Sequence, residues 1–164
     1  MKKIIVWAVA PLILLALASC GGRDDREIPP PDAPEYVFLR DGESIAPGES
    51  ASAIRRLGQY KSRRAVGSCA GVGEDVLYVY DGFRVTVYGE DGNGGGHIQM
   101  IEFTNDTVST AEGIFVGADV ESVVHAYGAE YSEVGEGMRY VGKNCILQFS
   151  VRDGTVTSIK YIAL

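Results

Sequence analysis

Two short stretches hold residues at spacings that chemistry could use. Gly67-Ser68-Cys69-Ala70-Gly71 has the spacing of a nucleophile elbow with cysteine in the serine position. Such an elbow needs a strand before it, a helix after it and a base in reach. Here a turn and then a strand follow, and the only two histidines are His97, in a glycine-rich loop, and His125, beside an apolar helical stripe. A surface histidine is the ordinary reading of both, and no catalytic residue is expected. The second stretch runs from Asp91 through Asn93, Gly96 and Ile98 to Glu102 and matches a twelve-residue calcium loop at positions one, three, six, eight and twelve. Strands rather than helices flank it, position five is a glycine, and Glu102 corresponds to Lys160 later in the chain. A lengthened glycine hairpin follows, with no metal and no cofactor.

The third cluster of chemistry is at the start. Lys2 and Lys3 precede an apolar run from Ile4 to Ala16, which ends in Leu17-Ala18-Ser19-Cys20-Gly21. The charge, the short apolar stretch and the small residues are those of an export signal, too short to span a bilayer comfortably. The segment resembles a bacterial lipoprotein signal. That resemblance implies cleavage of residues 1–19, thioether attachment of diacylglycerol to Cys20 and residence at the cell membrane on its extracytoplasmic face, periplasmic or at the cell surface. Cys69 and Cys145 then remain as an even pair, for which a disulfide and two unbridged thiols are both open.

Residues 20–34 carry mixed charge, four prolines and one large apolar side chain, Ile28, which is too little to fold. They read as a tether of about 40 Å. Residues 35–164 suffice for one domain. Removing Lys2 and Lys3 with the signal takes the formal net charge from −7 to −9. An acidic body repels phosphate backbones, so nucleic acid is excluded as a partner.

The elements that position these residues come in two sets, about 45–110 and 114–164. Ile45-Ala-Pro-Gly48, a helical stretch and Gly58 reappear as Ile114-Phe-Val-Gly117, a helical stretch and Gly128, and Ile98 to Phe103 reappears as Val156 to Tyr161. Asp119 caps the second helix, Val120, Val123, Val124 and Tyr127 form its stripe, and Gly128 closes it. The first starts at Glu49 or Ser50 and has Ala53, Ile54 and Leu57 as its stripe. Strands are expected at about 75–80, 83–88, 98–103, 137–141, 144–151 and 155–162. Asp81-Gly82 is a two-residue hairpin signal that puts Val76, Tyr78, Tyr80, Phe83, Val85 and Val87 on one face. A three-residue loop, Arg152-Asp153-Gly154, with a bulge at Gly154 would bring Leu147, Phe149, Ile159 and Tyr161 together.

The expected fold is therefore α+β: two tandem repeats, each a short helix packed on a three-stranded antiparallel sheet. Over about 35–164 the chain resembles β-lactamase inhibitory proteins and SmpA/OmlA-type lipoproteins, and is similar to small bacterial lipoproteins with Ser68-Cys69 before a hairpin, Gly113 to Gly117, and Val124-x-x-Tyr127-Gly128. The resemblance implies a fold and carries over no functional residue. Of the tyrosines Tyr78, Tyr80, Tyr88, Tyr127, Tyr140 and Tyr161, Tyr88 falls opposite the core, and with Arg84 and Thr86 it marks a possible partner surface. The function expected is a membrane-anchored, non-catalytic binding or scaffolding lipoprotein with a protein or envelope partner. The alternatives are a cysteine-dependent hydrolase or thiol redox protein using Cys69 and Cys145, and an inhibitor-like binder of an enzyme.

Overall fold

Strong turn dipeptides and strict alternation organise the molecule, a computed structural model of which describes residues 28–66, 74–90 and 95–164. Three hairpins close on Asp-Gly. Phe38–Arg40 (β1) and Glu43–Ile45 (β2) pair across Asp41-Gly42, both with positive φ. Ser62–Val66 (β3) leads to Glu74–Val79 (β4), which pairs with Phe83–Glu90 (β5) across Asp81-Gly82. Gly82 has φ +84°, and a Cβ there would collide with the Thr107 hydroxyl, so glycine is required twice over. After His97–Phe103 (β6) come the helix Val120–Tyr127 (α1) and the strands Ser132–Val134 (β7), Gly137–Val141 (β8), Cys145–Arg152 (β9) and Thr155–Ala163 (β10).

The expected fold class is overturned. Instead of two helix-on-sheet units, β3 to β10 form one eight-stranded antiparallel sheet in the order β3-β4-β5-β6-β10-β9-β8-β7, with β1 and β2 as a separate two-stranded sheet. The molecule is mostly β. Only two short helices occur among the described residues, and the first, Ala51–Leu57, is a 3₁₀ helix. Two physical causes explain the difference. Edge strands β3 and β7 are short and polar, so alternation does not announce them, yet each finds a hydrogen-bonding neighbour. The last strand of each set, β6 and β10, pairs with the other from Ile159 opposite Phe103 to Ile162 opposite Met100, which merges the sets.

Several local expectations match. Val76, Tyr78, Tyr80, Phe83, Val85 and Val87 are all buried. Asp119 accepts from the Ser122 amide at 2.7 Å, and the Gly128 amide closes α1 on the Val124 carbonyl. The β9–β10 loop departs from expectation. It is the two-residue turn Asp153-Gly154 with φ +51° and +74°, and the bulge that restores the face falls at Thr157, between Val156 and Ser158. Asp-Gly suits a turn with two left-handed residues, so the extra residue moves into the strand. Leu147, Phe149, Ile159 and Tyr161 share the core as expected.

One face of the eight-stranded sheet is covered by the β1–β2 hairpin, the 3₁₀ helix and α1, all of which feed one core cluster. Phe38 of the hairpin joins both sets: its ring lies 4.7 Å from Phe83, 5.2 Å from Phe103 and 6.5 Å from Tyr161. The chain reaches this core through a pinned strap. The Tyr36 amide donates to Asn144 Oδ1 at 2.9 Å, Asn144 Nδ2 donates to the Tyr36 carbonyl at 2.7 Å, and the Lys143 amide donates to the Pro34 carbonyl at 2.9 Å. Ala33 is already buried. Residues 33 and 34 thus pack with the folded body.

Candidate functional site

The sheet face opposite the core carries side chains aligned across the strands. Strand pairing places Val79, Arg84, Glu102, Lys160, Gln148, Arg139 and Ser132 in one row, each opposite the next. Glu102 is its hinge. Its carboxylate accepts from Arg84 at 2.6 Å, faces the Lys160 ammonium at 3.6 Å and accepts from the Ser158 hydroxyl at 3.4 Å, and the residue is 8% exposed. Farther along, Arg139 donates to Gln148 Oε1 at 3.3 Å. These bonds hold the cationic heads in register; the Arg84 side chain is 42% exposed and that of Lys160 is 31% exposed.

A second row runs beside the first, two residues along each strand: Arg64, Leu77, Thr86, Met100, Ile162, Ile146 and Val141. It is apolar apart from Arg64 and Thr86. Together the two rows hold four cations against one carboxylate, in a chain of net charge −7. Arg84 and Thr86, singled out from sequence, therefore lie in adjacent rows of this face. Tyr88 lies beyond them, half-buried with its ring 5.3 Å from His97. Sequence reasoning missed Arg139, Gln148 and Lys160 as members of the surface. The signal was present in the alternation of β8, β9 and β10, but register across strands is needed to line them up.

The remaining candidates separate. Cys20 and Cys69 lie outside the described residues. Cys145 is a free thiol, fully buried at the start of β9, and donates to the Tyr36 carbonyl at 3.6 Å. Burial pushes its pKa up to about 12, which leaves no thiolate for nucleophilic or redox work at neutral pH. Of the calcium-like stretch, Asp91 and Asn93 lie outside the described residues, while Glu102 is engaged by Arg84 and Lys160. Among the described residues no three His, Cys, Asp or Glu side chains gather as a metal site.

His125 is exposed on α1 and lines a groove of about 900 Å³ with Glu112, Phe115, Asp119 and Glu121. In it the Glu112 carboxylate already accepts from the hydroxyl of the half-buried Tyr127, whose pKa is raised by desolvation and by that bond. The groove carries the carboxylates Glu112, Asp119 and Glu121 together with Ser122 and His125 of α1, among glycines and apolar side chains. No family model, no curated protein and no solved structure matches the chain.

Proposed function

We propose that this chain is a lipid-anchored, non-catalytic binding protein of the bacterial cell envelope, held at the membrane through Cys20 and working through the bare face of its eight-stranded sheet. The observation that carries the binding half of this reading is the ordered double row on that face, in which Glu102 fixes Arg84 and Lys160 beside an apolar stripe. A merely solvated sheet face needs no such pre-alignment, whereas a partner meets fixed side chains at a lower entropic cost. The anchoring half rests on Lys2, Lys3, the apolar run and Ala18-Ser19-Cys20. Two acyl chains at Cys20 give stable attachment that one chain cannot, at about 0.8 kcal/mol per buried methylene.

The strap supports the same arrangement. Ile28 and Pro30 line a recess with Arg139 and Val141, so the route from the anchor reaches the domain at one border of the double row. Metabolic labelling with palmitate, followed by mass determination of the mature amino terminus, tests the anchor. The expected product begins at Cys20 with diacylglycerol attached, and Cys20→Ala abolishes labelling and leaves the precursor uncut. An unmodified terminus at another residue defeats the anchored reading.

A further inference from the structure

We infer that Asp41 and Asp153 are sites of spontaneous covalent modification, each converting to isoaspartate through a succinimide formed with the glycine that follows, while Asp81 in the same dipeptide is spared. Four Asp-Gly pairs occur in the sequence, of which Asp91-Gly92 lies outside the described residues. The other three close the β1–β2, β4–β5 and β9–β10 hairpins. The step needs only the chain and water. The glycine nitrogen bonds to Cγ of the aspartic acid, the Cγ–OH bond breaks, and the hydroxyl leaves with the amide proton as water. Water then reopens the ring. Attack at the main-chain carbonyl breaks its bond to the glycine nitrogen, and the backbone runs on through Cβ and Cγ beside a free α-carboxylate. Glycine permits the approach because it has no side chain and few backbone restrictions.

Three observations separate the sites. Backbone comes first: Asp41 and Asp153, with φ of +52° and +51°, are the two non-glycine residues of positive φ among the described residues, and Asp81 is not one of them. An L-aspartate in that region has its Cβ crowded against the carbonyl that follows. Isoaspartate relieves the crowding, since its Cβ becomes part of the chain. Room comes second. Ring closure swings the glycine amide over the aspartate side chain, so the turn has to move. Nothing lies within 4 Å of the place a Cβ would take at Gly42 or Gly154, whereas at Gly82 the Thr107 hydroxyl, Asn105 Oδ1 and the Val108 side chain crowd that place.

Charge comes third. The hydroxyl that leaves belongs to the neutral acid, so a carboxyl held ionised reacts slowly. The Lys61 ammonium lies 2.9 Å from Asp81, and its hydrogen bond and charge hold that carboxyl below the usual carboxylate range. Asp153 is exposed and has no cation at ion-pair distance among the described residues. The Asp41 side chain is 88% exposed and meets Arg40 Nε at 3.4 Å. The change at Asp153 reaches α1. The Gly154 carbonyl accepts from the Val120 amide at 3.1 Å, and the Val156 amide donates to the Ala118 carbonyl at 2.9 Å. A carbon inserted just before Gly154 therefore shifts the support under the first turn of that helix.

The test holds the purified native protein at pH 6 and 37 °C beside a sample unfolded in urea. Peptides from each are scored for isoaspartate by methyl uptake from an isoaspartyl methyltransferase and by resistance to a protease that cuts before aspartate. In the folded protein Asp41 and Asp153 should each gain isoaspartate at least five times as fast as Asp81, and in urea the three rates should converge. In the fraction modified at Asp153, hydrogen exchange at the Val120 amide should be severalfold faster than in unmodified protein. A rate at Asp81 that equals either of the others in the folded protein, or no isoaspartate at Asp41 or at Asp153, overturns the assignment. Unchanged exchange at Val120 in the modified fraction overturns the coupling to α1. The lipid anchor and the binding face stand or fall separately from these outcomes.

Discussion

Cys145 shows how one residue type can be read from sequence and yet have its role fixed only by neighbours. A cysteine in a chain with an expected export signal invites a bridge, but at the head of β9 it is enclosed by the strap, with its thiol on the Tyr36 carbonyl. Burial pushes its pKa up to about 12 from an ordinary value near 9, and burial likewise pushes Tyr80 and Tyr140 up to about 12 from 10. Between those ordinary values and about 12 the unfolded chain loses protons that the folded chain keeps. Stability from these groups is therefore full below pH about 9 and falls above it, by about 1.4 kcal/mol per pH unit for each group in its window. Urea midpoints measured from pH 7 to 11 should be flat with respect to these groups up to about 9 and then drop. Cys145→Ala should shallow the early part of that drop. A thiol reagent at pH 8, with sites located by peptide mapping, should label Cys145 only after unfolding; labelling of the native chain at that residue sinks the buried-thiol account.

At the scale of elements, what was legible is what repeats locally. Asp81-Gly82 with alternating valines and tyrosines announces β4 and β5, and Asp119 with Gly128 brackets α1, because turn and cap chemistry is written in a few adjacent residues. Asp41-Gly42 carries the same turn signal and closes the β1–β2 hairpin, yet flanking strands of three residues leave too little alternation to declare it. β3 and β7 were illegible for another reason: Ser62-Arg-Arg-Ala-Val66 and Ser132-Glu-Val134 become strands through their neighbours' backbone groups. The strap is a third such element. Gly142 makes room for it, since a Cβ there would lie 2.6 Å from the Tyr36 ring and 2.8 Å from the Pro34 carbonyl, and Asn144 holds it by two hydrogen bonds. Asn144→Ala should cost about 1–3 kcal/mol by leaving the Tyr36 backbone unpaired. Hydrogen exchange at the Tyr36 amide should accelerate strongly in that variant while β5, β6 and β10 keep their protection. Unchanged exchange at Tyr36 would show that the strap is held by other contacts.

At the scale of the molecule, the joining of β6 to β10 governs both cooperativity and the surface. If the two sets of elements were separate units, each could melt alone, and the row from Arg84 to Arg139 would be two short patches. Pairing from Ile159–Phe103 to Ile162–Met100 makes the row continuous on one side, and on the other Phe38 bridges Phe83 and Phe103 to Tyr161. A sheet and core shared in this way should unfold in a single transition. Far-UV dichroism and the near-UV tyrosine signal should then report the same urea midpoint, and calorimetric and van't Hoff enthalpies should agree. Phe38→Ala, which removes a fully buried ring from the bridge, should cost about 3–5 kcal/mol. The loss should appear as a lower midpoint of one transition, because β6 and β10 remain paired. Two resolved transitions in the native chain would mean that the halves are energetically independent, and the continuous face proposed as the binding surface would then have no common scaffold.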